Sequence, residues 1–165
     1  MGDGEENSGQ AEWSSKRRQI AYQETRAALD AQRTALTQID NKAIENVRIT
    51  SILLGVFVSA VRISGFTFEP ITGILGGIAL TISLGAGIFT YNETDLYLGL
   101  NQEYIDELIA DDFTRSEEWE TDLPEFLAGF VDENADDIEF NGASLTVAQV
   151  FLFIGIVLVA LSAVI

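Results

Sequence analysis

The side chains of this sequence that could take part in acid–base or metal chemistry are almost all carboxylates. The 165 residues include 26 Asp and Glu, but no histidine and no cysteine. The chain therefore lacks the commonest general base, imidazole and thiolate metal ligands, cysteine nucleophiles and disulfides. It also lacks a phosphate-binding loop, a dinucleotide-binding glycine motif and a serine nucleophile motif. We predict a non-enzymatic protein with no cofactor, metal or small-molecule substrate.

The acidic run Asp132–Asp137 superficially resembles the calcium-binding loop of an EF-hand. Such a loop requires glycine at its sixth position and glutamate at its twelfth. These positions are Asp137 and Ala143 in this chain, so the calcium motif fails. We interpret the run as part of a solvated acidic surface.

Charge is distributed unevenly along the chain, whose net charge is −17. Residues 93–142 hold seventeen acids and one base, Arg115, whereas residues 143–165 carry no charge. A block this acidic excludes nucleic acid as a partner, because phosphate binding needs a basic face. The excess of acids is typical of proteins from salt-in halophilic archaea, in which surface carboxylates maintain solubility. A specific cation-binding or partner-binding acidic domain is the alternative.

Three long apolar runs predict how the chain is anchored. They cover residues 49–68, 71–91 and 143–165, and the only charge within them is Arg62. About twenty apolar residues in a helix span the hydrocarbon core of a bilayer, and a soluble helix of this length needs a polar face. We therefore predict an all-α integral membrane protein in the lipid bilayer, with a transmembrane hairpin over 49–91 and a third transmembrane helix.

The remaining segments are polar. We predict that residues 1–11 form a disordered tail and that residues 12–48 form a long cytoplasmic helix. Residues 92–142 predict an acidic cytoplasmic helical insert that ends in a turn at Asn141–Gly142. The long helix has an apolar residue at every seventh position, as in a coiled coil: Tyr22, Leu29, Leu36 and Ala43.

The insert itself has the pattern of two amphipathic helices. The first runs from Leu96 to about Ala110, with apolar residues at four-residue spacing. The second starts at a cap formed by Thr114 or Ser116, and Pro124 either limits its start or kinks it. Its predicted apolar face consists of Trp119, Leu123, Phe126, Leu127 and Phe130.

The distribution of Lys and Arg predicts the orientation of the spans. With three spans, residues 1–48 and 92–142 share one side of the membrane. That side holds eight basic residues, and the other side holds at most Arg62. By the positive-inside rule, the amino terminus and the insert are cytoplasmic and the carboxyl terminus is outside. We also expect the amino-terminal helix and the insert to pack together as one cytoplasmic layer.

Small residues at regular spacing are the first candidate for a functional feature. Stripes of small residues let helix backbones approach closely in lipid. They serve either for packing within the hairpin or for an oligomer interface. The stripes are Ser51, Gly55 and Ser59 in the first span, Gly73, Gly77, Thr81 and Gly85 in the second, and, more weakly, Ala148, Gly155 and Ser162 in the third.

Arg62 is the second candidate, because a charge within a membrane span is costly. One interpretation is structural: its side chain reaches the outer interface or pairs with Glu69 in the hairpin turn. The other interpretation is a role in a pore or in sensing.

Two segments carry motifs found elsewhere. NKAIENVRITSILLGVFVSAVRIS (Asn41–Ser64) contains KAI-x-x-VRI, and EEWETDLPEFLAGFVDENADDIEFNG (Glu117–Gly142) has a Trp, a later aromatic residue and an Asn-rich end. With these motifs, roughly residues 30–165 resemble a group of small, uncharacterised multi-span membrane proteins of halophilic archaea. The resemblance implies a similar layout but transfers no activity and no site residue. This chain departs from the group in having acids, not arginines, just before the third span.

These observations lead to one main functional hypothesis and two alternatives. The main one is a non-enzymatic membrane scaffold or assembly of packed helices that presents an acidic cytoplasmic platform. The first alternative is an oligomeric membrane effector or pore-forming channel, with Arg62, Thr81 and Ser83 as its polar lining. It draws on a loose architectural analogy with membrane effectors of prokaryotic conflict systems. The second alternative is an accessory subunit of a larger membrane complex.

Overall fold

The fold is all-α, as the sequence predicts. A computed structural model describes residues 15–63, 69–92, 96–97, 99–100, 104–106 and 116–163. Of these residues 94% are helical and none is in a strand. The long helices are α1 (Lys16–Arg62), α2 (Pro70–Asn92) and α3 (Ser116–Ser162). Each contains a stretch long and apolar enough to cross a membrane.

Helix α1 is unbroken over 47 residues, so the predicted cytoplasmic helix and the first span are one element. No glycine or proline lies between Lys16 and Gly55, and strong helix formers dominate this stretch. The helix ends at Arg62, whose positive charge is favourable beside the negative end of the helix dipole. The predicted span continued to residue 68, but residues 64–68 lie outside the described part, as does the predicted tail over 1–11.

Helix α3 is also unbroken over 47 residues, so the predicted turn at Asn141–Gly142 is wrong. Asn141 is buried, and its Nδ2 donates to the carbonyl oxygen of Asp137 one turn earlier, at 3.0 Å. Ile39 of α1 packs beside Gly142. Packing against α1 therefore outweighs the local preference of Asn-Gly for a turn. Pro124 lies inside α3, where it removes one backbone hydrogen bond without ending the helix.

The predicted first helix of the insert is wrong at its start. Leu96, Tyr97, Gly99 and Leu100 are not helical, whereas Tyr104–Asp106 are. The other residues of that predicted helix lie outside the described part. The second predicted helix is the beginning of α3, and it starts at Ser116. Thr114, the other predicted cap, is also outside the described residues.

The chain divides into two compact units. The first contains residues 1–31 and 97–133, and the second contains residues 32–96 and 134–165. Within the first unit, Leu29 of α1 packs with Tyr104, Leu123 and Leu127. The partly buried side chains around this core include those predicted for the apolar face of the insert: Trp119, Phe126 and Phe130.

Aromatic stacking holds the segment before α3 in this first core. Tyr97 stacks on Phe130 with ring centroids 5.1 Å apart, and Tyr104 stacks on Phe126 at 4.6 Å. Phe126 and Phe130 in turn meet edge to face at 4.8 Å. Pairs of this kind contribute about 1 kcal/mol each beyond the area they bury. They place Tyr97 and Tyr104 against α3.

The second unit is a bundle of three helices. Gly87 of α2 lies beside Ala43 and Val47 of α1, and Gly73 of α2 lies beside Ser162 of α3. Gln32 of α1 accepts a hydrogen bond from Asn134 of α3 at 3.4 Å. In this bundle α1 and α3 are therefore parallel to each other and α2 is antiparallel to both.

Most of the apolar surface of these helices is not covered by the chain itself. In the most apolar 18-residue stretch of α1, α2 and α3, only 11%, 33% and 17% of the residues are buried. The exposed side chains are large: Ile71 and Phe153, for example, are 68% and 69% exposed. Surfaces this apolar are stable in hydrocarbon and not in water.

Candidate functional site

A buried polar cluster joins all three helices of the second unit. Ser83 of α2 is fully buried, and its Oγ donates a hydrogen bond to the backbone oxygen of Ala148 in α3 at 2.7 Å. Asn46 of α1 donates from Nδ2 to Ser83 Oγ at 3.1 Å. One serine side chain thus links α2 to both of the other helices.

Each hydroxyl group of the cluster has a single proton, which limits the hydrogen bonds that can form at the same time. Thr50 Oγ1 donates to the backbone oxygen of Asn46 at 2.7 Å. The hydroxyl protons of Thr50 and Ser83 are then both used, so their 3.3 Å contact is close packing and not a further bond. The arrangement has no titratable group. It can fix how the helices pack, but it cannot donate or remove a proton in a reaction.

The interior of this unit also holds acceptor oxygens that no described residue satisfies. They are Asn46 Oδ1, Asn141 Oδ1 and Asp40 Oδ1, all buried. Burial raises the pKa of the Asp40 carboxyl above its usual range. An unsatisfied buried acceptor costs about 1–3 kcal/mol, so this polar interior is not optimised for stability.

The sequence interpretation missed Asn46 and Thr50, although a signal was present. Thr50 continues the seven-residue repeat that contains Leu36 and Ala43, and Asn46 lies one turn before it. Both are buried, at 4% and 0% exposure. The apolar members of the repeat end at Ala43, and its next member, Thr50, is polar, so an apolar pattern alone does not include it.

The predicted stripe of α2 departs from the face that is buried. Gly73 is buried and Gly77 contacts Phe57, but Thr81 and Gly85 are exposed. Steps of four residues turn about 400°, so a strict four-residue stripe drifts about 40° at every step. The buried face follows alternating steps of three and four: Gly73, Gly76, Leu80, Ser83, Gly87 and Thr90.

The predicted stripe of the first span faces away from the other helices. Ser51, Gly55 and Ser59 are all exposed, and no described atom lies within 4 Å of a Cβ placed on Gly55. The expected packing of these three residues within the hairpin is therefore not made. Their role in an oligomer interface stays a prediction.

The weaker stripe of the third span is buried throughout. Ala148, Gly155 and Ser162 are each inside the bundle. A Cβ on Gly155 would lie 2.7 Å from Leu80 Cγ, closer than real Cβ atoms approach other atoms. Seven-residue spacing keeps a stripe on one face, since seven residues are close to two full turns.

Arg62 and Glu69 do not form the expected ion pair, although the structure describes both residues. Arg62 is exposed at the last turn of α1. The Glu69 carboxylate instead accepts hydrogen bonds from the Thr72 backbone N–H at 2.6 Å and from the Thr72 hydroxyl at 2.8 Å. Unpaired N–H groups and the positive end of the helix dipole attract a carboxylate to the start of α2.

Glu69 also connects α2 to the end of α3. Its backbone N–H donates to the carbonyl oxygen of Ser162 at 2.9 Å, one of the carbonyls that a helix leaves unpaired at its carboxyl end. The hydrogen bonds from the Thr72 N–H and then from its hydroxyl lower the pKa of the Glu69 carboxyl. A single residue therefore caps one helix and satisfies the end of another.

We expect Glu69→Gln to weaken the dependence of thermal stability on acid pH. The pKa of Glu69 is lower in the folded chain than its ordinary value of 4.5. Its stabilisation is therefore present above that value and is lost as pH falls through the lowered folded pKa. The measurement is the Tm of purified protein in detergent across this pH range. Thr72→Val, which removes one donor, should give an intermediate slope, and equal slopes for wild type and Glu69→Gln would contradict the assignment.

The polar residues proposed for a pore do not share a face within one chain. Thr81 is exposed and donates to the backbone oxygen of Gly77, whereas Ser83 is buried in the cluster. An apolar groove of about 250 Å³ opens beside Phe57 and Leu80, and its lining residues are all apolar. Among the described residues, no group of three or more Asp or Glu is placed to hold a metal ion.

The first unit contains a separate polar contact, a largely buried ion pair. Arg18 Nη1 lies 3.3 Å from Glu120 Oε2, and the side chains are 33% and 2% exposed. It joins α1 to α3 next to the core around Leu29. The sequence predicts that the amino-terminal helix and the insert pack together, and this ion pair is one contact between them.

This chain matches no protein-family model, no curated protein and no solved structure. What can be inferred about its function therefore rests on the helices and their contacts.

Proposed function

We propose that this chain is a non-enzymatic integral membrane protein that acts as a helix-packing scaffold and holds an acidic platform at the cytoplasmic face of the bilayer. The observation that carries the proposal is the continuity of α3. Its ten charged residues are all acidic and all precede Phe140, and only uncharged residues follow. One continuous helix thus carries both acidic residues and the apolar stretch that we propose as a membrane anchor.

The polar cluster supports the scaffold part of this proposal. Buried polar groups at one layer of an apolar interface disfavour other registers, because a shifted register leaves them unpaired in hydrocarbon. Ser83, Asn46 and the Ala148 carbonyl meet only when the three helices are in one alignment. Their role is to hold the helices in that alignment.

The acidic part of α3 supports the platform. Asp132, Glu133, Asp136, Asp137 and Glu139 are all exposed. Exposed carboxylates at this density attract a basic partner surface and repel nucleic acid and anionic lipid. The same composition also fits the surface of a halophilic protein, as the resemblance to halophilic membrane proteins implies.

The orientation is tested with reporters that work on only one side of a membrane. Fusions at the amino terminus and at the insert are expected to report the cytoplasm, and a fusion at the carboxyl terminus is expected to report the outside. A cytoplasmic carboxyl terminus would refute three spans.

Affinity purification from native membranes then identifies what binds the platform, and recovery of a fixed set of membrane subunits would favour the accessory-subunit alternative.

A further inference from the structure

Two charged residues of α1, Glu45 and Arg48, are level with the apolar part of α2 along the bundle. Asn46 and Thr50 both contact Ser83, so Arg48, which lies between them in sequence, is level with Ser83 along the bundle. Gly87 lies beside Ala43 and Val47 in the same way, so Glu45 is level with Gly87. The sequence interpretation had placed both charges outside the membrane.

The depth of these charges follows from the length of α2. At a rise of 1.5 Å per residue, α2 is about 34 Å long and Ser83 lies about 14 Å from its Asn92 end. The helix has no charged residue, so it spans the hydrocarbon core, which is about 30 Å thick. Arg48 is then roughly 12 Å inside the core and Glu45 roughly 6 Å inside.

Neither charge is satisfied within the described chain. Glu45 and Arg48 are both exposed, and neither forms an ion pair with another described residue. Charged side chains at such depth are rare, and they pair with one another or line a protein interior. A charged surface facing hydrocarbon indicates that something other than lipid covers it.

The charges share a face with the small residues of α1. At about 100° per residue, Gly55 and Ser59 project within about 20° of Arg48 around the helix, and Glu45 is about 60° away. This face is opposite to the buried one, which contains Thr50. The outward face of α1 therefore combines an open, small-residue surface with one positive and one negative charge less than one turn apart.

We propose that a second copy of this chain packs on this outward face of α1 within the bilayer, with Glu45 of each copy opposite Arg48 of the other. A two-fold interface brings the same surface together from both copies, so it must be self-complementary. One acid and one base on the same face meet this condition, and the glycine and serines let the two α1 helices approach closely. The inference rests on the membrane insertion proposed above.

The first test is cross-linking in membranes through single introduced cysteines. The chain has no cysteine of its own, so each variant reports one position. Oxidation of Ser59→Cys is expected to give a disulfide-linked dimer of the chain. The control is Ile74→Cys, an exposed position of α2 near the same depth, which should give about ten-fold less dimer. Equal cross-linking of the two, or linkage of Ser59→Cys mainly to a different protein, would overturn the proposal.

The second test exchanges the charges in the Ser59→Cys background. Glu45→Arg and Arg48→Glu alone each leave like charges opposed, and each is expected to reduce the dimer about ten-fold. The double exchange restores complementary pairs and should restore the dimer. Dimer yields that fail to recover in the double variant would overturn the pairing.

Each variant is also extracted with alkaline carbonate. Release of the wild type would contradict membrane insertion itself, whereas retention without dimer contradicts only this inference.

Discussion

Gly155→Val is expected to lower the free energy of unfolding by about 3 kcal/mol, at the upper end of the range for overpacked interiors. A Cβ at this position would lie 2.7 Å from Leu80 Cγ and 3.1 Å from the Leu80 backbone nitrogen. The Leu80 side chain borders the apolar groove, but its backbone nitrogen cannot move without shifting α2, so a side-chain rotation alone does not relieve the contact. The added atoms therefore push α2 away from α3 and strain the nearby bond between Ser83 and Ala148.

The matched control is Gly85→Val, at an exposed position of α2. Nothing described lies within 4 Å of a Cβ on Gly85, so this variant makes the same change of residue type without a clash. Its effect should stay within about 0.5 kcal/mol. The measurement is unfolding of both variants in detergent, followed by loss of helical circular dichroism. Equal midpoints for the two variants would show that α2 and α3 are not in close contact at Gly155.

Arg18→Leu is expected to lower the free energy of unfolding by about 3 kcal/mol, because it removes the Arg18 guanidinium from beside the buried Glu120 carboxylate. Removing one partner of a buried ion pair costs more than the pair itself contributes. Glu120 is 2% exposed, whereas Arg18 is 33% exposed, so water screens the pair in part and the expected value is at the low end for such pairs. The measurement is urea unfolding followed by the fluorescence of Trp119, which packs on the same core.

The double variant Arg18→Leu, Glu120→Leu separates the cost of burying the Glu120 carboxylate without Arg18 beside it from the contribution of the ion pair. Replacing both partners by apolar residues leaves no buried charge, so we expect most of the lost stability to return. Arg33→Leu, at an exposed position of the same helix, is the control for removing a positive charge from α1. If the double variant is as unstable as Arg18→Leu, the loss of stability comes from lost packing of the Arg18 side chain and not from the buried carboxylate.

Much of the architecture was predictable from local sequence. The apolar runs identified the three helices that are long and apolar enough to cross a membrane, and the seven-residue repeat through Leu29 and Leu36 identified the buried face of α1. The apolar face of the insert around Leu123 and Leu127 was also predicted as it occurs. These features depend on composition and periodicity within one segment, which is the information that a single sequence contains.

Most of the errors arose where contacts with residues distant in sequence determine the local structure. The local preference of Asn141–Gly142 is for a turn, but both residues are helical because α1 packs against them. The expected pair of Glu69 with Arg62 is the exception, because Glu69 instead caps α2 through the N–H of Thr72, a near neighbour in sequence. The small-residue stripes predicted for the first two spans have four-residue spacing, whereas the buried faces follow the seven-residue period that packing two long helices requires.

The sequence by itself determined that the chain has three helices long and apolar enough to cross a membrane, and where along the chain the acidic surface begins. Hydrocarbon imposes these properties on each segment separately, because every span must be about twenty apolar residues long whatever its neighbours. Only the tertiary structure decided that Ser83 joins three helices and that Arg48 lies at the depth of an apolar helix. Those facts depend on the register between helices, which is set by contacts between residues far apart in the chain.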